Sequence, residues 1–233
     1  MAVALVGEKA EFVSATDAAS YQVVTTPFTP AANSLLVAVV LGPKTADATF
    51  DLTSVTDTGM GLTWTQQRVD TWTNTQFYRL HVLTAPVITT PASITAITAL
   101  WNQTILGTDA WVGEFSGANL TTPLKNMSSI NNSSGTVDPS ITAGAAPDSD
   151  SMSLVAVITR RNPPNWTPGA NWTEDMDNGI STPVAGLNIF HSTTTPQQVF
   201  TSSGTDALNL TAFYEIDAAV PVTTSFVPVI VGV

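Results

Sequence analysis

The stretch that decides the fold is Ser34 to Gly42, SLLVAVVLG, together with its echo at Met152 to Arg160, MSLVAVITR. Around the first run the chain continues with GLTWTQQ (61–67), TQFYRLHVLTAP (75–86) and DAWVGEFSGA (109–118). Around the second it continues with GANWTEDM (169–176), AGLNIFHSTTTP (185–196) and LTAFYEIDAA (210–219). The same order recurs: an apolar strand, a Trp-Thr strand after a Gly turn, an aromatic strand ending near Thr and Pro, and an aromatic strand carrying one Glu. Short β-branched and aromatic runs cut by Gly, Pro, Asn and Asp are strand signals, and no stretch sustains the 3.6-residue apolar spacing of a helix.

Working outward, strands are predicted over 11–14, 21–25, 34–41, 62–68, 76–83, 94–101 and 110–115, and again over 151–159, 171–176, 186–191, 197–201 and 208–216. About a dozen strands at regular spacing predict an all-β antiparallel sandwich of jelly-roll type. Residues 119–149, rich in Ser, Asn, Gly and Pro, read as a loop joining half-repeats at 34–118 and 150–219. Each half offers four or five recognisable strands, few for an independent sandwich. One domain over 1–219 is therefore expected, the halves sharing a core. Residues 220–233 read as an apolar arm or edge strand.

Composition agrees with a β protein. Hydrophobic residues make up 43% of the 233 and charged residues only 11%. Thr, roughly one residue in six, suits a pleated strand surface and disfavours helix. Eighteen acidic against seven basic residues give a formal charge of −11, which repels phosphate backbones and anionic lipid. Nucleic acid and membrane are not expected partners. With no cysteine there is no disulfide framework and no thiolate metal site. The start, MAVALVGEKAEFVS, carries no signal-peptide pattern, so synthesis in the cytoplasm is expected.

Candidate chemistry is sparse. His81 and His191 fall at what read as matching places on the aromatic strands, without metal-ligand spacing or a serine elbow. Glu114 and Glu215 are a matched pair. Two carboxylates are the minimal equipment of a glycosidase, but an outward position on an alternating strand, where a charge keeps a face soluble, accounts for each. Acidic turn residues Asp51, Asp57, Asp175 and Asp177 suggest calcium, with Glu174 to Asp177 before Asn178-Gly179 the best placed. An Asn-Gly is first of all a hairpin turn, and no DxDxDG loop occurs. No catalytic residue, cofactor or metal is expected. Of the six Trp, Trp64 and Trp172 form a matched pair capping the core. Trp72 (VDTWTNT) and Trp166 (NPPNWTPG) lie in turn-like sequence and are the candidates for exposure and for stacking on a glycan. In the tail, Phe226, Val227, Val229 and Ile230 are candidate assembly contacts.

The run SLLVAVVLG, then SVTDTGMGLTWTQ (54–66), FYRLHVLTAP, SITAITALW (93–101) and WVGEFSGA resembles β-sandwich domains of tailed-bacteriophage virion proteins and some bacterial surface proteins. The resemblance covers roughly 34–118 well and the second half loosely. It rests on the hairpin Val55-Thr56-Asp57, Gly59 or Gly61, Trp64-Thr65, and on Glu114-Phe115-Ser116-Gly117. Gly-Met-Gly-Leu stands where a single Gly-Asn is common, which leaves the turn type open. The resemblance implies a jelly-roll-like virion part without enzymatic activity: a capsid decoration protein, head fibre or tail component, on the particle exterior and homo-oligomeric. A carbohydrate-binding module or fibre adhesin is the other expectation.

Overall fold

The computed structural model describes residues 1–45, 48–73, 76–89, 92–132, 138–159, 166–181, 184–192, 196–203 and 208–220. Phe226, Val227, Val229 and Ile230 lie outside them. The chain is an all-β, antiparallel sandwich, and among the described residues no helix occurs. The first half comprises β1 (Ala4–Ser14), β2 (Ala18–Phe28), β3 (Ser34–Lys44), β4 (Leu52–Thr58), β5 (Thr65–Thr73), β6 (Phe77–Val87), β7 (Ile94–Ile105) and β8 (Thr108–Ser116). The second comprises β9 (Leu124–Asn132), β10 (Ser140–Thr142), β11 (Met152–Thr159), β12 (Thr167–Pro168), β13 (Trp172–Ser181), β14 (Val184–Ser192), β15 (Val199–Ser203) and β16 (Asn209–Ile216).

The two halves have one topology. The first forms a five-stranded sheet in the order β1-β8-β3-β6-β5 and a three-stranded sheet β2-β7-β4. The second forms β9-β16-β11-β14-β13 and β10-β15-β12, the same order with eight added to every strand number. This is jelly-roll connectivity with the fifth strand on the larger sheet. Among the described residues each half has eight strands, more than the four or five expected of the half-repeats 34–118 and 150–219, because β1 and β2 and likewise β9 and β10 belong to them. The segment 119–149 is likewise no plain joining loop, because it holds β9 and β10. Those strands escape a sequence reading because β9, KNMSSINN after its leading Leu124, is a polar edge strand half open to solvent.

The layers explain why SLLVAVVLG is apolar at every position rather than at alternate ones. Leu35, Val37, Val39 and Leu41 face Leu154, Ala156 and Ile158 in a central core between the two large sheets. Leu36, Ala38 and Val40 face the opposite way, against Phe50, Ile97 and Trp101. On β11, Val155 and Val157 similarly turn, beside their sheet neighbours Phe190 and Phe213, toward Phe200 of the small sheet. The chain is thus four sheets deep, and its two middle sheets are buried on both faces. Such strands read as continuous hydrophobic runs.

The large sheets meet face to face with reversed order, β1 lying near β13 and β5 near β9, about a pseudo-twofold axis. At one end of the molecule the chain segments that follow β8 and β16 pair with each other: Ala118 bridges Ala218, Asn119 N–H donates to Asp217 C=O at 2.8 Å, and Ala219 N–H to Gly117 C=O at 2.8 Å.

Gly113 shows how tightly the central layer is filled. A Cβ there would stand 2.2 Å from the ring of Trp111, a fully buried side chain with no room to swing away. Gly113→Ala is expected to lower stability by about 1–3 kcal/mol through overpacking, read as a lower urea midpoint at unchanged slope.

Candidate functional site

The matched carboxylates are the most developed polar sites. Glu114 on β8 pairs in register with Leu36 of β3, and Glu215 on β16 with Ser153 of β11. Both are buried, 1% and 0% exposed, which corrects the expectation of outward, solubilising positions. Burial of a carboxylate requires compensating partners, and each half supplies the same kind. Glu114 accepts the Ala31 N–H at 2.6 Å and pairs with Lys9 Nζ at 3.0 Å. Glu215 accepts the Asp148 N–H at 2.9 Å, lies 3.4 Å from Lys125 Nζ and bonds the Asn126 amide. In each half a buried Glu thus ties the loop before the central strand to a Lys on the neighbouring edge strand.

Each carboxyl points into its own half, away from the central core. Two large sheets, stacked about 10 Å apart, therefore stand between them, and they cannot share one glycosidic bond. Asp148, Glu215 and Asp217 do bring three carboxylates together. The cation among them is Lys125, which pairs with all three and whose pKa is raised by Asp148 and Asp217 against the opposing effect of burial.

The histidines are not equivalents. With Leu36 matched to Ser153 through the buried Glu, Val40 matches Val157, so the counterpart of His81 is Asn188. His191 pairs with Leu154, three residues further along β14. His81 is enclosed, its Nδ1 2.8 Å from Gln66 Oε1 and its ring edge-on to Trp101. Burial lowers its pKa to about 4, so it is neutral at physiological pH. His191 Nδ1 is 2.7 Å from Asp175.

Neither Trp72 nor Trp166 is a ligand platform. Both are 2% exposed: Trp72 stacks on Tyr78 at 4.8 Å in the central core, and Trp166 joins the outer core of the second half. The stacked layers bury rings whose local sequence reads as turn. Trp64 and Trp172 occupy equivalent register positions, preceding Thr65 and Thr173, and both pack on the outer core of their own half.

Asp57 settles the turn that the resemblance leaves open. Its carboxylate accepts N–H from Met60 (3.0 Å), Gly61 (2.8 Å) and Leu62 (2.7 Å), with the Trp64 indole at 3.4 Å. Gly59 and Gly61 both take positive φ, 127° and 64°, so the backbone can wrap the acid. Asp51 instead pairs with Arg79 at 3.1 Å. The acidic turn residues singled out in the sequence do not converge on one point.

Two features carried no sequence signal. Asp109 is fully buried between the halves, its Oδ2 accepting the Leu187 N–H at 3.2 Å and its Oδ1 without a partner. On the opposite seam Arg68 bonds both oxygens of Asp70 and reaches Met127 C=O (2.8 Å) and Ser129 Oγ (3.0 Å) across the interface, while Tyr214 donates to Asp70 at 3.2 Å. At the pseudo-twofold end, an open apolar groove of about 760 Å³ is lined by Met1, Ala118, Leu120, Ala219 and Val220 among others. Comparison with family models, curated proteins and solved structures finds no match for the chain.

Proposed function

We propose that this chain is a non-enzymatic structural protein of a tailed-phage virion, an exterior capsid decoration protein acting as a homo-oligomer. The observation that carries the reading is the duplicated jelly roll in which the matched Glu114 and Glu215 act as internal struts. Chemistry that in an enzyme would face a cleft is spent here on fixing loops to strands. The charge of −11 suits an exterior position away from packaged nucleic acid. The apolar groove beside Val220 supports an assembly contact at the end from which residues 221–233 continue. A glycan-binding reading has lost the support of Trp72 and Trp166, whose rings present no face to solvent.

The test is co-sedimentation with particles from the producing host, with gold-labelled antibody to locate the chain. The expected result is a fixed number of copies per particle on the head exterior, with binding lost on deletion of 221–233. A chain that stays in the soluble fraction overturns the proposal, undiminished binding of the deletion removes the tail from it, and label on the tail moves the location.

A further inference from the structure

We propose that Glu174, Asp177 and Asn188 form a binding site for a hard divalent cation, calcium by its ligand chemistry, on the inner face of the second jelly roll. The bulge between Glu174 and Met176 sets the geometry. Glu174 pairs with Phe190 and Asp177 with Asn188, so both acids share the sheet face that carries Phe190 and Trp172. Asp175, the extra residue of the bulge, bonds His191 instead.

Asn188 is fully buried; its Nδ2 donates to Asp177 Oδ1 at 2.6 Å, and its Oδ1 has no partner. Glu174 Oε1 is also buried without a partner. A bare buried acceptor costs about 1–3 kcal/mol, so two on one face call for a donor or a cation.

The first half shows what ordinarily fills this place. Its β5 has the same bulge, between Gln66 and Arg68. Gln66 is the register equivalent of Glu174, His81 of Asn188 and Val69 of Asp177. There Gln66 Oε1 lies 2.8 Å from His81 Nδ1, a donor–acceptor pair that closes the site. In the second half both positions present oxygen, and a third oxygen has replaced Val69. Substitution within a duplicated frame has exchanged a closed neutral hydrogen bond for two carboxylates and an amide that still offers a bare oxygen.

Among the described residues neither acid has a basic partner. Two carboxylates and an amide oxygen suit calcium, which completes its shell with water on the exposed side of Asp177. Transition metals prefer imidazole or thiolate.

The probe is terbium(III), which takes the same ligands and luminesces when a nearby Trp is excited; Trp172 lies on the same face of β13. The expected result is saturable luminescence displaced by calcium, with calorimetric calcium binding at about 0.1–1 mM, the range of sites with few charged ligands. D177N and E174Q are expected to weaken binding at least about tenfold, as befits loss of one ligand charge, with unchanged circular dichroism. Trp172→Phe should lose the luminescence and keep the calorimetric binding. Absence of saturable binding overturns the proposal. So does binding that survives the E174Q/D177N double variant, or that is abolished by D148N instead, since that places the ion at the Lys125 cluster.

Discussion

Glu215→Ala is expected to lower the stability of the folded chain by about 2–4 kcal/mol, from lost hydrogen bonds to a charged acceptor and the space a fully buried side chain leaves. The side chain is fully buried and serves three donors: the Asp148 N–H, the Asn126 amide and Lys125 Nζ. Lys125 retains Asp148 and Asp217 after the truncation, so the loss falls on the two neutral donors. Both bonds are only partly buried, so the cost is that of losing hydrogen bonds to a charged acceptor, about 1.5–3 kcal/mol each at most, with the vacated volume of a fully buried side chain added to it. Glu215→Gln keeps the shape and one acceptor oxygen, yet turns an NH2 toward one of the donors; an intermediate loss is expected. Glu114→Ala removes the partner of Lys9 and of the Ala31 N–H and should be comparable. Urea unfolding of the three variants measures this. A loss below about 1 kcal/mol, the ordinary worth of a surface pair, would show that the Glu is not a strut.

That strut also marks the limit of reading this chain by pattern. The order apolar run, Trp-Thr, aromatic strand, Glu strand recurs because it is one fold written twice, and Glu114 and Glu215 do fall at equivalent positions. Whether such a Glu faces water or protein depends on what stacks on the sheet, which spacing along a strand does not record. The uninterrupted apolarity of SLLVAVVLG held the clue, since a strand covered on one face alternates. The same stacking buries Trp72 and Trp166 despite their turn-like neighbours. His81 and His191 look equivalent only because both follow an aromatic run. Register is set by pairing, where a shift of three residues changes the partner from Val40 or Val157 to Leu154. Strands β9, β10 and β12 were illegible because edge and short strands carry Ser, Asn and Pro in place of Val and Ile. β4 was hidden for another reason: its end, Val55-Thr56-Asp57, doubles as the start of a turn whose geometry comes from the Asp57 carboxylate.

Stability is expected to fall as pH rises above about 4, the ordinary range of a free Asp carboxyl, and Asp109→Asn to remove much of that slope. Asp109 lies fully buried on the seam where β8 meets β14, with one oxygen bonded to Leu187 N–H and the other bare. Burial, reinforced by the charge of Glu11, raises its pKa well above the ordinary 3.8, against the opposing effects of the Leu187 and Ala110 N–H groups. Nearby Glu8 is raised too, by burial and then by Glu11 and Asp175. A group whose pKa is higher folded than unfolded binds its proton more tightly in the folded chain. Its contribution is therefore whole below the unfolded pKa and is lost as pH climbs through the folded one. Among the described residues the Arg68–Asp70 network on the opposite seam has no counterpart here, so the two seams differ: an ion pair holds one, and a buried acid whose proton is favoured by burial lies in the other. The amide introduced by Asp109→Asn would copy the protonated acid, its oxygen still accepting from Leu187 and its NH2 unable to ionise. The variant should match the wild type near pH 4 and exceed it increasingly as pH rises, by up to several kcal/mol, the order of the penalty for an unpaired buried charge. Thermal unfolding as a function of pH reads the difference. Parallel curves for the two proteins would place the pH dependence elsewhere, in Glu8 or in Glu174, whose raised carboxyl acts in the same direction.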